Sequence, residues 1–387
     1  MKKVYWRPRY ISRMALVLIT AISLGGLLVV EFNRVPVEQP YYQEKVAAAQ
    51  LATRCLERIK QERLARRYPI DPENDPTESG LIGLAISPAT STYGMLQAKQ
   101  MSINPNFAAA IVDMLKAVGV KKNDLVAFGC SGSFPAMNVC LVSALETLGA
   151  RPIGISSAAA SQWGANLPDF LWIDMEKTLY DSQLISFRSI AASLGGVEDR
   201  GLGMDSETID VLSRGIERAG LPLITPSNST ETFSQSVSRR MELYTQQAVG
   251  GRIKAYVNVG GGTTSVGKSL GKRLLSSGPN YKLPKAARDI DSVMTQFLAK
   301  DVPVIHLVRV EELAKRYGLN VNPKRRQIPD VGLGEVFFRK EYNRWYVVGV
   351  LAAILGSLYT FIRSDWGFRI FQHGSHRKDL GHPEPMV

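Results

Sequence analysis

The sequence predicts an α/β fold, with a Rossmann-like, mostly parallel sheet that carries helices on both faces and is flanked by one transmembrane helix at each end. Two observations support this prediction. Across the middle of the chain, short apolar segments alternate with segments of helical periodicity, and this alternation is typical of parallel sheets. At either end, residues 14–30 and 345–362 form long apolar runs without a charged residue.

The two apolar runs predict where the protein works. Each approaches the roughly 20 residues that a helix needs to cross a bilayer. The charged residues before the first run are all basic, and basic residues stay on the cytoplasmic side. We therefore expect a cytoplasmic N-terminus, an extracytoplasmic domain and, after a second crossing, a cytoplasmic C-terminus. The alternatives are a cleaved signal peptide and a buried core helix. No small-x-small cleavage site follows residue 30, and aromatic and arginine residues flank the second run.

This organisation divides the chain into segments with different roles. We expect cytoplasmic tails at 1–13 and 363–387, transmembrane helices at 14–30 and 345–362, a helical stalk with a Pro/Asp linker at 31–79, and an extracytoplasmic α/β domain at 80–344. In that domain the patterns predict strands at 81–86, 124–129, 151–156, 221–224, 253–259 and 302–308, and helices at 106–118, 136–148, 206–219 and 310–317.

The first candidate site is the turn Gly129-Cys130-Ser131-Gly132-Ser133, which follows a strand and opens a helix. A small-x-Ser-x-small turn of this kind lifts a serine hydroxyl above the sheet as a nucleophile, although Ser133 stands where a glycine is usual. Ser131 and Ser133 are also suited to cap the helix or to bind an anion there. As a nucleophile, Ser131 needs a base, and His306 is the only histidine of the expected domain; a lysine is the alternative.

Two further segments should reach the same edge of the sheet, because ligands bind at the carboxyl ends of parallel strands. One is a loop rich in hydroxyl and amide groups, and the other is a strand that enters a glycine turn. Each is also explained without a ligand, as a polar loop whose tryptophan fills the core or as a close-packed turn. The candidate ligand-binding residues are Ser157, Ser161, Gln162, Trp163 and Asn166 in the loop, and Asn258, Gly260, Gly261, Gly262 and Thr263 in the turn.

Several strings of this sequence together resemble the poly-γ-glutamate system protein family. They are ESGLIG, INPNFAAAIV, VAFGCSGSFPAMN, SSAAASQWGANLPDFLWIDMEKTL and AYVNVGGGTT, within residues 71–267. The resemblance implies a role in the production, export or processing of poly-γ-glutamate, a capsule-type anionic polyamide. It assigns no catalytic residue.

The resemblance and the residue patterns lead to one main expectation. We expect a membrane-anchored accessory component of poly-γ-glutamate biosynthesis or export that binds or guides the polymer; the alternative is an extracytoplasmic serine hydrolase that trims it with Ser131. The expected partners are membrane proteins of the synthesis complex, the anionic polymer and membrane lipid. The formal net charge is +12, but between the two apolar runs 38 Lys and Arg stand against 32 Asp and Glu, a modest excess that suits a weak attraction for a polyanion or no partner at all. No pattern indicates nucleic acid, a metal site or a cofactor.

Overall fold

The structure is a computed structural model that describes residues 13–224, 233–319, 322 and 326–363. Most of the two predicted tails lies outside these residues. The described chain divides into two compact units, residues 13–37 with 339–363 and the described part of residues 38–338.

The strands and helices alternate over most of the chain. In chain order, the described strands are β1 (Val35–Glu38), β2 (Thr90–Thr92), β3 (Leu125–Ser131), β4 (Arg151–Ser157), β5 (Ala160–Ser161), β6 (Asn166–Leu167), β7 (Phe170–Leu171), β8 (Ser189–Ser193), β9 (Ile253–Val259), β10 (Gly278–Asn280), β11 (Val304–Leu307) and β12 (Phe338–Glu341). The helices are α1 (Arg13–Phe32), α2 (Tyr42–Ala65), α3 (Leu96–Ser102), α4 (Phe107–Ala117), α5 (Pro135–Leu148), α6 (Trp172–Asp181), α7 (Ser206–Ala219), α8 (Phe233–Gln247), α9 (Thr263–Val266), α10 (Lys268–Leu274), α11 (Val293–Ala299), α12 (Val310–Arg316) and α13 (Arg344–Arg363).

The smaller unit consists mainly of α1 and α13, which pack against each other. Within the described residues, no helix combines the length and apolarity that a membrane crossing needs.

This finding contradicts the predicted pair of transmembrane helices. The predictions that depended on them fall with it, namely the flanking spans in the fold class, the two-pass plasma-membrane location, the cytoplasmic termini and the extracytoplasmic placement of the α/β domain.

The larger unit is built on a six-stranded sheet with the order β10-β11-β9-β3-β4-β8. The strands from β11 to β8 run parallel, and β10 pairs antiparallel with β11, so the sheet is mixed. This corrects the predicted fold class. The sequence gives no strand signal at Gly278–Asn280, because Gly and Pro are typical of turns. Pro279 is tolerated there because β10 is an edge strand.

Two further differences concern β8 and the segment before the sheet. β8 was not predicted, whereas the strand predicted at 221–224 forms only an isolated bridge, from Leu223 to Ala192. α2 is not a stalk: it buries Ala48, Ala52, Cys55 and Ile59 and packs against α4, α5 and α6. The predicted strand at 81–86 is irregular chain: Gly83 and Leu84 make backbone hydrogen bonds with Trp163, and the Ile82 carbonyl binds a side chain. Buried Arg63 donates hydrogen bonds to the carbonyl oxygens of Pro69, Gly80 and Ile82.

Candidate functional site

The parallel strands end at one edge of the sheet, and the first candidate turn lies there. Ser131 is the last residue of β3 and stands in register with Ser157, the last residue of β4. The Ser131 hydroxyl donates to Ser133 Oγ at 3.1 Å and accepts from the Ser133 amide at 3.2 Å. Both side chains are half-buried, and α5 begins two residues later at Pro135. The turn therefore presents two linked hydroxyls.

The second predicted segment packs directly against this turn. The Ser161 amide donates to Ser133 Oγ at 3.0 Å, and the Ala165 amide donates to the Gly132 carbonyl at 2.8 Å. A Cβ on Gly164 would lie 3.0 Å from Ser133 Cα, so only glycine permits this approach. The structure thus brings the first two predicted sites together.

The third predicted segment, the glycine turn after β9, lies on the other side of Ser131. Gly260 has φ +90°, and a Cβ on it would lie 3.2 Å from Ser131 Cβ. Gly261 and Gly262 are exposed, and their amides have no acceptor among the described residues. Lys272 of α10 lies beside the turn, with its Nζ 3.5 Å from the Cβ position of Gly261. Exposed amides next to a lysine suit a carboxylate ligand.

The structure does not bring His306 to Ser131. His306 lies on β11, and β9 separates that strand from β3 by two strand spacings, about 10 Å in all; His306 is also level with Gly129, two residues before Ser131. The Nδ1 atom of His306 is 3.0 Å from Asn258 Nδ2, and Asn258 also donates to the Gly260 carbonyl at 2.6 Å. Burial lowers the pKa of His306 to about 4, so the ring is neutral at physiological pH. The pair His306 and Asn258 supports the glycine turn from below.

The other predicted loop residues mainly hold backbone in place. The amide group of buried Asn166 binds both backbone groups of Leu84, at 2.8 Å each. Gln162 Oε1 accepts from the Gly94 amide at 3.2 Å. Trp163 has φ +64° and forms part of the wall of a cavity of about 320 Å³ that also contacts Arg63. These contacts explain the polar composition of the loop without a ligand.

Lys99 is a site residue that the sequence analysis missed. It lies on the short helix α3, is buried, and donates to Ser161 Oγ at 2.8 Å and to the Ser133 carbonyl. Its Nζ also lies 3.7 Å from the centre of the Phe134 ring. Burial lowers its pKa to about 7. No periodicity or motif distinguishes this lysine from the exposed ones, so no sequence signal identifies it.

A second group that the sequence analysis missed surrounds Ser157. Asp199 accepts hydrogen bonds from Ser157 at 3.1 Å and from Ser193 at 2.7 Å, and it forms an ion pair with buried Arg240. Arg240 also donates to Ser193 Oγ at 2.7 Å. The glycines before and after Asp199 were the one available signal, because they mark a loop. Ser157 is therefore engaged inside the protein.

The described residues contain no group of three or more His, Cys, Asp or Glu side chains that could hold a metal ion.

Comparisons with known proteins add little to this description. No protein-family model matches the sequence, and no curated protein matches it. Among solved structures, a match is the crystal structure of an archaeal alanine:glyoxylate aminotransferase, with 12% identity over 92% of this chain and 68% of that chain. Its TM-score is 0.17, which is too low to indicate a shared fold or a shared activity.

Proposed function

We propose that the α/β unit binds poly-γ-glutamate at the carboxyl edge of its sheet and acts as an accessory component in the synthesis or export of that polymer. The observation that carries the proposal is the glycine turn itself. Gly261 and Gly262 are exposed, Gly261 stands beside Lys272, and Gly260 before them packs on Ser131. The identity of the polymer is taken from the sequence resemblance.

The chemistry of the polymer fits these groups. Each residue of poly-γ-glutamate carries one free carboxylate and one amide. Backbone amides and lysine ammonium groups bind carboxylates, while serine hydroxyls both donate to and accept from amides. Lys268 and Lys272 belong to α10 and are both exposed, so they can reach carboxylates without the cost of desolvating a buried charge.

The test is the binding of fluorescently labelled poly-γ-glutamate to the full chain, followed by fluorescence anisotropy. We expect Lys272→Ala to weaken binding about two- to fivefold, as for one exposed ion pair. Lys300→Ala is the matched control, because Lys300 is equally exposed but precedes β11 at the opposite edge of the sheet. Equal binding by both variants and the unaltered protein would refute the proposed site.

A second candidate is a serine hydrolase that trims the polymer with Ser131. One observation favours it: the amine of Lys99, with its pKa lowered to about 7 by burial, contacts the same turn through the Ser133 carbonyl and Ser161. A neutral amine is a general base, and Ser133 Oγ links Ser131 to this region.

Ser131→Ala separates the two candidates. The purified full chain and its variant are incubated with poly-γ-glutamate of uniform length, and the length distribution is measured by gel electrophoresis. The binding proposal expects unchanged length with both proteins. Shortening by the unaltered chain that Ser131→Ala abolishes, with the variant still folded, would instead establish the hydrolase.

A further inference from the structure

The loop at residues 194–204 places two neighbouring carboxylates on the edge of the sheet. Glu198 and Asp199 have φ angles of +52° and +63°, which residues other than glycine rarely adopt. Glycines with positive φ precede and follow them. The two carboxylates have different contacts. This loop therefore holds an acidic pair in a strained conformation beside the candidate site.

Asp199 anchors the loop. Its carboxylate accepts from the hydroxyls of Ser157 and Ser193 and pairs with Arg240. The side chain of Arg240 is 5% exposed and that of Asp199 is 11% exposed. A buried pair of this kind is costly to separate, because each charge would be left without a partner. Asp199 therefore fixes the position of its neighbour Glu198.

Glu198 reaches the glycine turn. Its backbone amide donates to Thr263 Oγ1 at 3.1 Å, and its carboxylate lies 3.3 Å from Lys268 Nζ and 2.7 Å from Arg200 Nη2. Lys268 is 60% exposed on its side chain, so its contact with Glu198 is open to solvent and easily exchanged. The Glu198 carboxylate thus contacts Lys268, a cation of the proposed polymer site, in the way that a carboxylate of the ligand would.

We propose that Lys268 forms a carboxylate subsite for one residue of the polymer, and that Glu198 is the internal carboxylate which that residue replaces. The inference rests on the proposed function and specifies its ligand contact. The exchange substitutes one carboxylate for another on Lys268. It requires that the Glu198 side chain turn away from Lys268 while Arg200 stays its partner, and Asp199 keeps the loop in place.

The arrangement of α10 extends the subsite to a second residue. Lys268 and Lys272 are the first and fifth residues of α10, and both are exposed. Lys272 stands beside Gly261, and Lys268 stands beside Glu198. Two exposed lysines of one helix match a ligand that presents carboxylates at regular intervals, as poly-γ-glutamate does.

The experiment measures the affinity of the full chain for a short γ-linked glutamate oligomer by fluorescence anisotropy. We expect Glu198→Gln to raise the affinity about two- to fivefold, because the amide no longer competes for Lys268. Glu217→Gln is the matched control, since it removes the same charge from an exposed position of α7. Thermal unfolding confirms that each variant is folded.

A double-mutant cycle tests the mechanism of the gain. In the Lys268→Ala background, Glu198→Gln should give no increase, because the contested cation is absent. An unchanged or reduced affinity of Glu198→Gln, or a gain that persists without Lys268, overturns the inference while polymer binding by the unaltered chain keeps the proposed function. If neither the unaltered chain nor Glu198→Gln binds the oligomer, both proposals are refuted.

Discussion

The Nζ atom of Lys99 lies 2.8 Å from the Oγ atom of Ser161, and this contact joins two segments that are distant in sequence but adjacent at the sheet edge. Lys99 also donates to the Ser133 carbonyl and lies over the ring of Phe134. The ammonium group thus fixes the turn after β3 to the loop after β4, within a largely uncharged environment. This relationship makes the geometry of the candidate site depend on a single buried amine.

Lys99 should make stability depend on pH. Burial lowers its pKa from 10.5 to about 7 in the folded chain. Between these values the unfolded chain binds more protons, so folding becomes more favourable as pH rises. We therefore expect the unaltered chain to gain stability relative to Lys99→Met as pH rises. The gain in unfolding free energy should be up to about 1.4 kcal/mol per pH unit from pH 7 to 9. Urea unfolding at several pH values measures it; a difference that stays constant would contradict the assignment.

Gly260 should be needed for close approach as well as for its positive φ. Gly250 also has a positive φ, +76°, but a Cβ there would meet nothing within 4 Å, whereas one on Gly260 would press on Ser131. We expect Gly250→Ala to cost about 1 kcal/mol of stability and Gly260→Ala at least about 1 kcal/mol more. Only the second should also weaken polymer binding. Chemical unfolding and anisotropy test this, and equal effects of the two substitutions would argue against the packing of Gly260 on Ser131.

The ion pair of Asp199 with Arg240 should contribute far more to stability than an exposed one. Asp199→Asn leaves the buried guanidinium without its counter-charge, and we expect a loss of roughly 3 kcal/mol. The matched control is Asp181→Asn, which removes the partner of Lys177 on the surface of α6 and should cost less than about 1 kcal/mol. Thermal unfolding compares the two variants. Similar melting temperatures would show that Arg240 does not depend on Asp199.

Glu176 should make the stability of the fold decrease as pH rises. It is fully buried, and burial raises its pKa above 4.5, although the amide and hydroxyl of Ser189 both donate to it. The folded chain therefore holds the proton longer than the unfolded chain, and this stabilisation is lost as pH increases above about 4.5. We expect Glu176→Gln to gain stability relative to the unaltered chain between pH 4.5 and 7. Urea unfolding tests this, with Glu217→Gln as the exposed control that should show no such trend.

Much of the candidate site followed from simple rules of sequence. Ser131, Ser161 and Gly260 each come shortly after a strand of the predicted α/β pattern, and parallel strands deliver such residues to one edge. The structure indeed brings all three segments together. The edge strand β10 escaped prediction, because it has no alternation of apolar and polar residues and contains Pro279.

The sequence by itself determined the central parallel strands β3, β4, β9 and β11 and the serine and glycine turns after β3 and β9, because these depend on local periodicity and on turn chemistry. Only the tertiary structure decided which charges act there. In the fold, Lys99 is buried beside Ser161 and Asp199 pairs with Arg240. The hydrogen-bond partner of His306 is Asn258, not Ser131. Such contacts join residues far apart in the chain, and their energies depend on burial and distance, which no local pattern encodes.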